Sequence, residues 1–195
     1  MGKQVWKAGN MLYPLPAVMV TVADRKGNDN IITLAWTGTV NSDPPMLSIS
    51  VRKERYSHAM LLETGEFAVN LVTEELTRAM DFCGVRSGRD LDKFAAAGLT
   101  REPATQVAAP LIAESPLSLE CRVRQVIELG SHDLFLADIL AVCVDERYLD
   151  EKGTFHLNDA RLTAYSHGAY FGLGRKLGTF GFSVKGSGKK RGRRG

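Results

Sequence analysis

The sequence predicts a mainly β protein with peripheral helices, a Greek-key barrel closed from about six or seven antiparallel strands. Three observations carry this reading. Short β-branched or alternating runs recur along the chain, turn residues separate them, and apolar stretches with helical spacing are few and short. A doubly wound parallel sheet needs regular alternation of strands and helices, which the order of these runs does not supply.

The elements follow in order. Residues 16–23 (PAVMVTVA) and 30–36 (NIITLAW) are β-rich, and the intervening DRKGND supplies turn residues, so the two read as a hairpin. Residues 46–51 (MLSISV) alternate like a strand. Residues 57–65 read as a short helix, with Ser57 as its cap and Gly65 at its end. Residues 66–72 are a fourth strand. Residues 73–84 form a helix with Leu76, Ala79, Met80 and Cys83 on one face. A loop and a short helix fill residues 85–99. Residues 117–146 read as two long strands joined at Gly130-Ser131-His132-Asp133. The second is apolar on both faces, as a barrel wall packed on two sides requires. The same pattern over 133–145 predicts a homodimer, because a single barrel with a wet exterior does not explain it. Residues 162–183 are rich in glycine and aromatics and read as an ordered C-terminal segment.

Composition narrows the class. The chain has 195 residues, 44% of them hydrophobic, enough for one globular domain over residues 1–184. No apolar run is long enough to span a bilayer, and the N-terminus has no signal-peptide core, which predicts a cytoplasmic protein. Cys83, Cys121 and Cys143 are few and far apart, so reduced thiols are expected rather than a disulfide framework or a metal site. The formal charge of +3 comes from a tail, residues 185–195 (KGSGKKRGRRG), which holds six of the 25 basic residues. The remaining chain carries 19 basic and 22 acidic residues. The tail reads as a flexible Gly-rich appendage without the aromatics of a specific nucleic-acid reader.

Two stretches suggest chemistry. Between the second and third strands, AWTGTVNSDPP (residues 35–45) concentrates hydrogen-bonding groups in one connection. Trp36 offers a flat face, Thr37, Thr39, Asn41 and Ser42 offer hydroxyls and an amide, and Gly38 lets the backbone approach a ligand closely. Such a set suits a heteroaromatic ring with a polar edge, though an ordinary polar loop accounts for it equally well. The next turn, SVRKERYSH, places Arg52, Lys53 and Arg55 at the end of a strand and Ser57 at a helix start. Cations beside a helix N-terminus make a phosphate site; a solvated basic turn is the plainer alternative.

The stretch from PLPAVMVTVADRKGNDNIITLAWTGTVNSDPPMLSISVRKERYSH to TGEFAVNLV resembles the flavin reductase-like family, the FMN-binding split barrels. The ending TAYSHGAYFGLGRKLGTFGFS resembles its flavoredoxin branch. The likeness covers nearly the whole chain except the tail. It implies a homodimer of six-stranded barrels that hold FMN, or in some members FAD, at the subunit interface. By that resemblance Trp36, Thr37, Gly38, Thr39, Asn41 and Ser42 line the ring and ribityl chain, and Arg52, Lys53 and Ser57 take the phosphate. FCGVRSGRDLDKF is similar to a family loop that closes over the flavin, ending at Lys93 and Phe94. GSHD resembles the family's G-D-H turn, whose histidine is associated with NAD(P)H, so His132 is the expected catalytic contact. Ser131 stands where the family acid would be. His167 and Tyr170 match polar and aromatic positions of the flavoredoxin ending.

Three functions follow as expectations. The first is an FMN-dependent oxidoreductase passing electrons from NAD(P)H to a flavin, a metal chelate or a small acceptor. The second is a flavoredoxin-like carrier fed by a redox partner protein. The third is a flavin-binding module whose tail docks on a polyanion. None of them needs a metal, a membrane or a specific nucleic acid.

Overall fold

The computed structural model describes residues 2–184; the basic tail predicted for 185–195 lies outside them. In chain order the elements are β1 (Leu15–Pro16), β2 (Val18–Ala23), β3 (Asp29–Leu34), β4 (Thr37–Ser42), β5 (Pro45–Arg52), α1 (Tyr56–Thr64), β6 (Glu66–Leu71), α2 (Thr77–Val85), α3 (Lys93–Ala97), β7 (Arg101–Glu102), β8 (Leu111–Ile112), β9 (Leu117–Glu128), β10 (His132–Val144), β11 (Thr163–Ser166) and β12 (Ala169–Gly172). Seven strands form one antiparallel sheet in the order β3-β2-β6-β9-β10-β5-β4. β1, β11 and β12 form a small second sheet.

The sheet must curl. Its two outermost strands, β3 and β4, are consecutive and joined only by Ala35 and Trp36. Six strand spacings across a flat sheet come to ~29 Å, whereas a two-residue link reaches roughly 10 Å. Among the described residues β3 and β4 share no ladder, so the curled wall keeps a seam between them.

Alternation decides what fills the curl. Val18, Val20 and Val22 from β2 meet Ile32 and Leu34 from β3, Leu47, Ile49 and Val51 from β5, and Phe67 and Val69 from β6. Cys121, Phe135 and Ala137 complete this core from β9 and β10, and Met60 and Leu61 of α1 close one end. A second core lies outside the wall, where α2 and α3 pack Met80, Cys83 and Phe94 against Met19 and Ile31. Strands with apolar residues on both faces, β2 above all, are the ones covered on both sides.

Three expectations change. Residues 35–45 are not a free connection: Thr37–Ser42 pair with β5 as an edge strand. Its glycine, asparagine and hydroxyl residues are those of turns, and pairing alone reveals it as a strand. Ser57 does not cap α1: the helix begins at Tyr56, Arg55 is its N-cap, and no side chain caps it. Gly65 does end the helix, with φ of 66°. The second helix starts at Thr77 rather than at residue 73.

Candidate functional site

Two adjoining cavities lie where β3, β5, the start of α1 and the end of α2 converge. The larger, of about 680 Å³, is lined by Ile32, Leu34 and Ala35 on its apolar side and by Trp36, Tyr165 and Tyr170 as an aromatic wall. Tyr165 sits 6.5 Å from Trp36 and 5.8 Å from Tyr170 between ring centroids. The Tyr170 hydroxyl donates to Asp81 Oδ1 at 2.8 Å. Burial first, and then that carboxylate, push the Tyr170 hydroxyl up to about 12. Arg52, Ser131 and His132 also line this cavity.

The smaller cavity, of about 220 Å³, shares Ile32, Arg55 and Val85 with the first. It is lined by Asn30, Ser57 and Lys93 and by three arginines, Arg55, Arg86 and Arg89, against one acid, Glu54. Arg55 is tied down by donating to the Gly84 carbonyl at 2.6 Å. Arg89 lies over the Tyr56 ring, its guanidinium carbon 5.4 Å from the centroid. Lys93 is 4% exposed and donates to the carbonyls of Ile31 at 2.6 Å and Cys83 at 2.7 Å. An ammonium has three N–H groups, so one remains. Burial pulls Lys93 down to about 8. The Cys83 thiol is pushed up to about 11 by burial, tempered by Lys93, and is therefore an unreactive thiol.

Ser57 is 1% exposed, and its oxygen accepts from Asn30 Nδ2 at 2.8 Å. Its own O–H is left to donate to whatever fills the cavity. Gly88 presses on the same asparagine: a Cβ there would stand 2.1 Å from Asn30 Oδ1. Only glycine lets this loop lie so close. Buried donors, four cations and the start of a helix make a site for a small anion such as a phosphate monoester.

The sequence-predicted residues divide. Trp36, Arg52, His132 and Tyr170 line the large cavity, and Ser57 and Lys93 line the small one. Thr37, Gly38 and Thr39 line a third cavity of about 450 Å³ beyond Trp36, beneath residues 9–12. Asn41 and Ser42 lie exposed past an irregularity in the β4–β5 pairing, and Asn41 Nδ2 donates to Pro44 within its own turn. Lys53 faces away and bonds Glu128 at 2.8 Å and Asp133 at 3.3 Å. Consecutive residues at a strand end point to opposite sides, so Arg52 and Lys53 cannot share one phosphate. His167 sits in the β11–β12 turn with φ of 47° and stacks on Tyr13 at 6.0 Å, outside both cavities.

Asp133 does not orient His132. It points inward, where His58 Nε2 bonds its Oδ2 at 2.7 Å. Burial acts to raise Asp133, but His58 and Lys53 outweigh it and hold the carboxyl below its usual range. The Ser131 hydroxyl takes the orienting role, 2.9 Å from His132 Nδ1. Asn30, Asp81, Arg86, Arg89 and Tyr165 escaped the sequence reading as site residues. Arg55 belongs to the basic turn, and its spacing, two before Ser57 at a helix start, is the signal in the sequence that points to it. Among the described residues no cluster of His, Cys, Asp or Glu could hold a metal ion, and no helix is long and apolar enough to cross a membrane.

Comparisons with known proteins bear on the fold and the family. Flavoredoxin of Desulfovibrio vulgaris (Miyazaki F) superposes with a TM-score of 0.86 and 31% identity, covering 94% of this chain and 100% of that one. Flavoredoxin from Methanosarcina acetivorans gives a TM-score of 0.83 at 27% identity, covering 94% and 98%. A Streptomyces pristinaespiralis protein named NADH:riboflavin 5'-phosphate oxidoreductase is 25% identical over 69% of this chain and 74% of its own. The family described as flavin reductase like domain matches residues 10–174. This chain belongs to the flavin reductase-like family and has a split-barrel fold similar to that of the flavoredoxins.

Proposed function

We propose that the protein is an FMN-dependent oxidoreductase that passes electrons from NAD(P)H to a flavin, a metal chelate or a small acceptor. The observation that carries this is the pairing of an aromatic-walled cavity with a smaller one in which the buried Ser57 O–H and the third Lys93 N–H have no acceptor among the described residues. FMN combines a flat ring with a terminal phosphate and matches that pair in shape and charge. Ser57, Lys93, Arg55, Arg86 and Arg89 would hold the phosphate. Trp36, Tyr165 and Tyr170 would flank the ring and keep water from it, with Ile32 and Leu34 beneath. Bound flavin supplies hydride and single-electron chemistry that no side chain here can perform. His132, fixed by Ser131 at the cavity mouth, would orient the nicotinamide donor.

The proposal also places residues 1–184 in one domain with 185–195 as an appended tail. It makes the active form a cytoplasmic homodimer: Val126, Ile127, Leu129, Leu140 and Val142 leave apolar side chains exposed along the β9–β10 hairpin. Three free thiols suit a reducing compartment. The test is direct. The purified protein should be yellow, release FMN on denaturation, run as a dimer in light scattering, and bleach when NADH or NADPH is added without oxygen. A colourless protein that takes up no FMN overturns the flavin reading.

A second reading has its own support. The flavoredoxin neighbours and the serine at position 131 favour an electron carrier without a nicotinamide site. Yellow protein that dithionite bleaches and neither nicotinamide does would establish it.

A further inference from the structure

We propose that Arg52 and His132 form an anion-recognition point for the second substrate, an aromatic or dihydropyridine ring bearing a carboxylate or a phosphate. The inference rests on the flavin reading above. The anionic end of FMN has its own cavity, and neither Arg52 nor His132 lines it; Lys93, Arg86 and Arg89 in turn do not line the larger one. Arg52 is therefore surplus to the phosphate, and its position needs another reason.

The register supplies one. Arg52 on β5 and His132 on β10 are direct cross-strand partners. Side chains so paired stand on the same face as neighbours, so the Arg52 guanidinium and the His132 ring N–H can both donate to one anion at the cavity mouth. Among the described residues the Arg52 side chain has one partner, Glu54 at 3.1 Å, with both side chains mostly exposed, at 59% and 64%. Such a pair is weak and easily exchanged for a better acceptor. The large cavity is lined by one carboxylate, Asp81, which the Tyr170 hydroxyl occupies. Its other charged side chains are Arg52 and Arg55, with the His132 ring beside them. Beside them stand the flat faces of Trp36, Tyr165 and Tyr170. A ring stacked on that wall, with its anionic group turned to the mouth, satisfies both parts.

The shared chemistry has two sources, a carboxylate-bearing acceptor or the phosphate of a dihydronicotinamide nucleotide. Pairs of one anionic and one neutral member separate them. Benzoate and benzamide are titrated by calorimetry into the FMN-loaded oxidised protein. Reduced nicotinamide mononucleotide and its uncharged riboside are compared by rapid mixing without oxygen. Wild type, Arg52→Met and Arg52→Lys are measured, with flavin content and dithionite reduction read for each. The expected result is a preference of about tenfold for the anionic member of at least one pair, lost in Arg52→Met, largely kept in Arg52→Lys and weakened by salt. The pair that shows it names the source. No charge preference in either pair, or a preference that survives in Arg52→Met, overturns the proposal while leaving the flavin reading intact. Failure to bind FMN at all overturns that reading and this proposal with it.

Discussion

Lys93 should make flavin affinity fall steeply with alkaline pH. In the folded apoprotein burial brings this lysine from 10.5 to about 8, a cost of about 3 kcal/mol for keeping it charged. A phosphate dianion beside it favours the protonated form. If the bound state restores the ordinary value, linkage weakens binding about fourfold at pH 8.5 and about 30-fold at pH 9.5, relative to pH 7. The groups facing Lys93 leave that window clear. Cys83 on α2 lies at about 11, and Arg55, Arg86 and Arg89 stay charged throughout. The assay is quenching of FMN fluorescence on binding, from pH 7 to 9.5. Lys93→Met should bind more weakly and with a flat profile, and Lys93→Arg should also be flat. A wild-type profile parallel to that of Lys93→Met would refute the reasoning. Apoprotein stability should move the other way. The unfolded chain binds the extra proton between pH 8 and 10.5, so the folded form gains stability as pH rises through that range.

Ser57→Ala should weaken FMN binding about tenfold, the loss of one donor to a charged acceptor, whereas Lys53→Ala should leave the affinity within about twofold; equal effects in the same titration would restore the Arg52–Lys53 phosphate site. Gly88→Ala should also weaken FMN binding, because its Cβ displaces Asn30 from Ser57, and Asn30→Ala should abolish most of the difference between the two residues at 88. Glu120 is fully buried and accepts from the backbone N–H groups of Thr105, Gln106 and Val107. Glu120→Gln turns a donor toward those donors and should cost roughly 3 kcal/mol in urea unfolding. Burial acts to raise the Glu120 carboxyl, but its hydrogen bonds hold it below 4.5, so its contribution is present above that pH and lost as the solution is acidified.

The six strands that enclose the first core are legible because each is a short β-branched or apolar run bounded by turn or helix signals, a local property of the chain. β4 was hidden because an edge strand with one paired side needs no β-branched face. The cavity residues divided along similar lines. Trp36, Ser57, His132 and Tyr170 carry distinctive chemistry or sit at recognisable turns. Lys93 matched the family pattern, yet nothing local announces that a lysine is buried under two carbonyls. Asn30, Arg86 and Arg89 join the site from β3 and from the loop after α2, over 50 residues of sequence that only the fold brings together. Two local signals separate Arg55 from Lys53: the opposite orientation of adjacent residues at the end of β5, which turns Lys53 away from Arg52, and the position of Arg55 two residues before Ser57 at the start of a helix.

The order of strands also sets how this chain can reach its native state. β3-β2-β6 and β5-β4 are two ribbons made by the first 71 residues, and they never pair with each other. The β9–β10 hairpin alone joins them, β9 bonding to β6 and β10 to β5. Partners such as Val51 and Asp133 lie 82 positions apart, so closing the wall requires large loops to be ordered before most of their reward arrives. During synthesis the ribbons wait with unpaired edges until residue 144 emerges, and a chain truncated before the hairpin should behave as an aggregation-prone fragment, not as a smaller domain.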